Sequence, residues 1–295
     1  MHPPYYSPLQ SCRMFVVVLI ALALTLSCAP PVQRPTGPAA EYDAAKDVFR
    51  RGRLAQALEF TEGLATASPP TSYTGRARLL RAVIYTGQIK SYKELVDAYA
   101  KGAENTKNPH FKAEYERLRH DNLQYGARAA LGLAETVHQL VPEGIIGKEH
   151  TLEVPYPATE GPFEVKALFR VKEGGWVEPD QQEMAAIESM QKGVDDALAD
   201  IVAGDRSKAR TLLSAGPVKM DGVDLALFLG NQLLEGASIF DRKHDRDPQR
   251  LRTVCGEAEE VAKAALELLK ENPNKEKEKA VKKLQDQIKA TLKNT

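Results

Sequence analysis

Side chains able to hold a metal ion gather at Asp241, His244, Asp245 and Asp247, three carboxylates and an imidazole in one short stretch. Arg242, Lys243 and Arg246 interleave with them. A hard-cation site needs converging oxygen donors with net negative charge, so this stretch reads as a solvated, charge-paired loop. The other histidines of the body, His110, His120, His138 and His150, stand at no ligand spacing. Cys255 lies in a helical stretch and reads as a small buried hydrophobe rather than a nucleophile. The sequence carries no metalloprotease helix motif, P-loop, dinucleotide glycine pattern or nucleophile-elbow serine. The expectation is a non-catalytic protein with no metal and no cofactor.

The cysteine with a chemical assignment is Cys28. Met14 to Leu26 is an uncharged, mostly apolar run behind Arg13. It is short of the roughly 20 residues of a membrane span, and it has the layout of a secretory signal. Ser27-Cys28 at its end resembles the lipobox of bacterial lipoproteins, with Thr25 where leucine is usual. The resemblance implies a signal peptide over 1–27 and a lipidated Cys28 as the new N-terminus. Ala29 follows the cysteine where enterobacterial lipoproteins kept at the inner membrane have aspartate, so the resemblance implies the periplasmic face of the outer membrane. The stretch 28–40, with its run of prolines, makes a semi-rigid tether.

Composition narrows what the body does. Hydrophobic residues are 43% of the chain and charged residues 27%, ordinary for a globular protein. Basic and acidic residues balance at 40 each, so no global field recruits nucleic acid. With Cys12 in the signal and Cys28 lipidated, Cys255 has no partner for an internal disulfide.

From Glu41 the apolar spacing predicts helix after helix. Gly52 separates a first pair, with Leu54, Ala57, Leu58 and Leu64 on its second member and Pro69-Pro70 as a stop. A second pair is expected over Arg76–Thr86 and Tyr92–Asn105, with Gly87–Ser91 as its turn. Phe111 to Val141 is helical, as one helix or as two joined near Asn122. In the last third, Met184–Val202 is helical and Gly204 to Ala209 repeats the spacing of Gly52 to Ala57. Asp221 can cap a helix running to about Phe240. Arg250–Glu271 and the lysine-rich Lys275–Leu292 complete the chain, the latter with Ala280, Val281, Leu284, Ile288 and Leu292 on one stripe.

The Gly-to-Ala spacing and the terminal prolines resemble tetratricopeptide (TPR) repeats, with Thr61 and Leu64 departing from the pattern. The expected fold class is all-α, a TPR-like helical-hairpin solenoid with a short strand-containing insertion. Its parts are 41–141 and 181–295, both TPR-like, around an insertion at 142–180. Glu41 to about Pro109 resembles the TPR lipoproteins of the outer-membrane β-barrel assembly machinery. The TPR-like lipoproteins that accompany TRAP-type transporters resemble the chain equally in length and layout.

The insertion alternates β-branched and aromatic residues and has Gly174-Gly175 before Trp176, which predicts short strands and a hairpin. Phe163, Phe169 and Trp176 crowd it in a chain with 6% aromatic residues, and they are the candidate partner-binding residues. Two function classes follow. One is an envelope scaffold that docks protein partners. The other is a solute- or lipid-binding accessory subunit of a transporter, which needs an enclosed apolar pocket rather than an open groove.

Overall fold

A computed structural model describes residues 36–141, 150–157, 181–202, 204–241 and 247–293. Cys28, the tether up to residue 35, and Phe163, Phe169 and Trp176 lie outside these residues. Among the described residues the fold is all-α, with one two-stranded sheet. In order these are α1 (Pro38–Arg50), α2 (Leu54–Ala65), α3 (Thr74–Asn105), α4 (Pro109–Leu140), β1 (His150–Leu152) and α5 (Gln181–Val202). Then come α6 (Arg206–Ala215), β2 (Val218–Met220), α7 (Gly222–Ala237), a 3-10 turn (Ser238–Phe240), α8 (Pro248–Glu271) and α9 (Lys275–Lys293).

Two turns share one design. Gly52 between α1 and α2 has φ +75°, and Gly204 between α5 and α6 has φ +76°. This left-handed region is costly for any residue with a Cβ, so glycine lets the chain reverse within a few residues. Five residues later, Ala57 and Ala209 are each fully buried. The small side chain lets the second helix come close to its neighbour. The two turns differ in their caps: Asp205 accepts from the backbone N–H of Ser207 and Lys208 at 2.8 and 3.1 Å, whereas Arg53 supplies no side-chain cap.

The expected second pair is instead one helix. α3 runs unbroken for 32 residues through Gly87–Ser91, where the sequence suggests a turn. Gly87 is there for contact: a Cβ on it would lie 2.6 Å from a Val194 methyl carbon of α5. The roughly 1 kcal/mol that glycine costs inside a helix is offset by packing on that neighbour. α3 is the central helix, covered by α4 and α5 along much of its length and by α2 and α7 elsewhere. That is why Leu79, Leu80, Val83, Ile84 and Ile89 are buried on several sides of it.

α4 is likewise one helix with no joint at Asn122. It opens on Asn108, whose Oδ1 accepts from the His110 N–H at 2.9 Å, with Pro109 at the first helical position. α7 opens on Asp221, as its sequence suggests, with bonds of 2.9 Å from the N–H of Val223 and of Asp224. α8 opens on Asp247 in the same manner. α9 buries Val281, Leu284 and Ile288 on α7 and α8 and leaves its lysines other than Lys277 in water.

Arg78 of α3 is 5% exposed and joins two helix ends. Its Nε donates to the Ala65 carbonyl at the end of α2, and its Nη1 to the Gln139 carbonyl near the end of α4, both at 2.9 Å. Helix C-termini carry unsatisfied carbonyls and partial negative charge, so one guanidinium serves both. β1 pairs antiparallel with β2, placing His150 opposite Met220 and Leu152 opposite Val218. β1 lies in the insertion where the sequence predicts short strands, but its partner β2 lies outside the insertion and is not among the strands the sequence suggests. Residues 158–180, with the expected hairpin, lie outside the described residues.

Candidate functional site

α7 presents one face to solvent. Asp221, Asp224, Asn231 and Glu235 recur at helical spacing along it, with the buried Phe228 between Asp224 and Asn231, while Leu225, Ala226, Leu229 and Leu233 are buried on the other side. The solvent face forms one wall of an open groove of about 820 Å³. Lys90 of α3, Asp200 at the end of α5, Leu212 of α6 and the strand β2 complete it.

At one end of the groove Lys90 Nζ donates to Glu235 Oε2 at 2.8 Å and lies 3.0 Å from Asp200 Oδ2. Gln232 Nε2 donates to the same Asp200 oxygen at 3.1 Å. The Lys90 side chain is 18% exposed. Burial pulls its ammonium pKa down, but the hydrogen bonds and charges of Glu235 and Asp200 outweigh that and hold it above the ordinary lysine value. At the other end Lys277 of α9 bridges Asp221 and Asp224, the latter at 2.9 Å. Between these paired charges Leu212, Ile201, Leu227 and Val218 supply partly exposed apolar surface. Such a groove can hold a polar segment against a short apolar strip.

A second cluster joins the residues after β1 to α5 and α6. Tyr156 is hydrogen-bonded to Asp195, and the Arg210 guanidinium lies 5.3 Å from the centre of its ring. Burial, reinforced by the Asp195 carboxylate, pushes the Tyr156 hydroxyl up to about 12. Burial also raises the Asp195 carboxyl, against the pull of Tyr156, Arg206 and Arg210. Arg206 Nε donates to Asp196 Oδ1 at 2.6 Å beside it.

The residues singled out from the sequence are scattered. Asp247 caps α8 and Asp241 closes the 3-10 turn through its N–H to the Ser238 carbonyl, while His244 and Asp245 lie outside the described residues. His138 meets Glu257 at 3.1 Å across α4 and α8, and His150 sits in β1. Among the described residues no three His, Cys, Asp or Glu side chains converge in a way that could hold a metal ion. Cys255 is fully buried in α8, and burial pushes its thiol up to about 11.

Sequence reasoning did not single out Lys90, Asp200, Gln232 or Glu235. They come from three helices far apart in the chain, and each is an ordinary polar residue on its own helix. The one available signal is the polar stripe of α7, with Asp224, Asn231 and Glu235 opposite a leucine-rich face. A small apolar cavity of about 10 Å³ beside Tyr92, Val96 and Ile239 holds one water at most. Compared with family models, with curated proteins and with solved structures, the chain matches none.

Proposed function

We infer that this chain is a lipid-anchored protein of a bacterial envelope, a TPR-like, non-catalytic scaffold that docks protein partners. The observation that carries the reading is the repeated turn. Left-handed glycines at Gly52 and Gly204 are each followed five residues later by a fully buried alanine. A helix pair closed twice in the same way is the repeating unit from which TPR-like arrays are built. Ser27-Cys28 after a short apolar run supports lipidation, and the proline-rich tether supports a domain held near the periplasmic face of the outer membrane. The open, charge-lined groove along α7 offers a surface for a protein segment. Phe163, Phe169 and Trp176 are the aromatic residues proposed to contact a partner.

The experiment pairs anchoring with capture. In the native envelope, Cys28→Ser is expected to abolish acyl labelling and release the chain from membranes. Crosslinking of the anchored chain is expected to recover a discrete partner that Trp176→Ala loses without a change in melting. Acyl labelling that persists in Cys28→Ser defeats the anchor, and a partner retained by Trp176→Ala defeats the docking residues.

The second reading, a solute- or lipid-binding accessory subunit, asks for an enclosed apolar pocket, and the groove is open and lined by paired charges, so its volume alone speaks for that reading. About 820 Å³ lies in the range of small-ligand sites. A solute-binding accessory subunit of a transporter would use it, and a small solute that raises the melting temperature of wild type but not of Asp200→Asn would favour that reading.

A further inference from the structure

We propose that the tip of the α3–α4 hairpin is a second membrane contact, one that docks on an anionic bilayer surface. Phe111, in the first turn of α4, is 57% exposed, more than Met184 and Leu212, the other large hydrophobic side chains exposed among the described residues. His110 meets its ring edge-on, with centroids 6.2 Å apart. Lys107 in the connection and Lys112 beside Phe111 are both exposed, and so is Lys101, four residues before the end of α3. None of the three lysines has an ion pair among the described residues. Within 101–112 the one carboxylate is Glu104; one turn beyond either end stand Asp97, Glu114 and Glu116, of which Glu114 is held by Arg117 at 2.6 Å.

An exposed aromatic in a hairpin end that also carries three exposed lysines without ion pairs among the described residues fits a lipid surface better than a protein one. Lysine is depleted at protein interfaces, where arginine and buried aromatic anchors are enriched. At a bilayer, long lysine stems let the ammonium groups sit among phosphates while an aromatic ring enters the interface between headgroups and acyl chains. The tip is also the convex end of two helices joined by three residues, Thr106–Asn108, a shape suited to a plane. The inference deepens the tethered reading, because an acyl anchor at Cys28 would raise the local concentration of such a weak contact. The contact itself is tested without the acyl chain.

The test uses the full chain with Cys12→Ser and Cys28→Ser, leaving Cys255 buried. A reporter cysteine is introduced by Ala113→Cys beside the tip, or by Ser214→Cys on exposed α6, and carries an environment-sensitive dye. Vesicles of phosphatidylglycerol and phosphatidylcholine in equal parts are expected to blue-shift the tip reporter and not the α6 reporter. Pure phosphatidylcholine is expected to leave both unchanged, and salt is expected to reverse the shift. Replacing any one of the three lysines by alanine is expected to weaken binding roughly five-fold, as one basic residue near an anionic surface contributes. Phe111→Ala is expected to abolish the shift with helical content and melting unchanged. The proposal is overturned by the absence of a shift, by equal shifts at both reporters, or by a wild-type shift in Phe111→Ala. It is also overturned if the tip reporter responds only to an added envelope protein, which would make the tip a protein-docking surface. Release of the acylated chain by Cys28→Ser is read separately, so loss of the anchor and loss of the tip contact are distinguishable.

Discussion

Gly193 of α5 lies directly over the carbonyl of Gly87 in α3: a Cβ on Gly193 would sit 2.3 Å from that oxygen. One turn away the same helices exchange hydroxyl contacts, with Ser91 Oγ 3.2 Å from Ser189 Oγ and Ser189 Oγ 3.2 Å from Glu94 Oε2. Small residues one turn apart on both helices let the two backbones meet. Gly193→Ala is therefore expected to force the helices apart and to cost about 1–3 kcal/mol, despite the better helix propensity of alanine. Gly256 in α8 is the control, because a Cβ there meets nothing within 4 Å. Gly256→Ala is expected to stabilise by about 0.5–1 kcal/mol. Denaturant midpoints of the two variants should move in opposite directions.

Ala57 and Ala209 test the repeated turn. Enlarging either to leucine is expected to overpack its helix pair and cost roughly 1–3 kcal/mol. Gly52→Ala and Gly204→Ala should each cost about 1–2 kcal/mol through the left-handed backbone alone. Thermal melting reads both sets, and a neutral result at both alanines would remove the shared design.

The Asp221–Lys277–Asp224 bridge gives a pH dependence with a definite sign. Burial raises the Asp221 carboxyl pKa, but its hydrogen bonds with Lys277 and Asp224 outweigh that and leave it below its ordinary value. A depressed carboxyl contributes stability that is present above its unfolded pKa, near 3.9, and is lost as pH falls through the folded value. Burial likewise opposes the charge on Lys277, and its two carboxylates raise it above its ordinary value. That contribution is present below about 10.4 and is lost as pH rises through the raised value. Lys277→Met is expected to flatten both limbs of the melting temperature against pH relative to wild type.

Cys255 is expected to stay silent to thiol reagents at neutral pH. Its thiol is fully buried and pushed up to about 11, so little thiolate exists and none is reachable. With Cys12 and Cys28 replaced by serine, labelling should begin only across the unfolding transition. Rapid labelling of the native chain would show that α8 opens locally.

The sequence made the helices legible where a cap or a left-handed glycine punctuates them. Gly52, Gly204 and Asp221 sit where their residue types suggest. Gly87 was misread because a glycine that admits a neighbouring helix looks the same in one dimension as a glycine that ends a helix. β2 was missed because Val218–Met220 is three residues long, too short for alternation to register. Of the groove, only the polar stripe of α7 was legible. Lys90, Asp200 and Glu235 come together only through the antiparallel crossing of α3 with α5 and the seating of α7 beside them. Nothing in the local pattern of any one helix encodes that meeting.

The pairing of β1 with β2 also orders events in time. α3 and α4 are consecutive and joined by three residues, so their contact closes a short loop and forms early. His150 and Met220 have α5 and α6 between them in the chain, so their strands can meet only after a long loop is closed. Two three-residue strands return few hydrogen bonds for that closure, which makes their ladder the last part to form and the first to open. Native-state hydrogen exchange should therefore find the amides of Thr151 to Leu152 and Val218 to Met220 opening well below the global unfolding free energy, while those around Leu80 and Leu133 open only with the whole molecule.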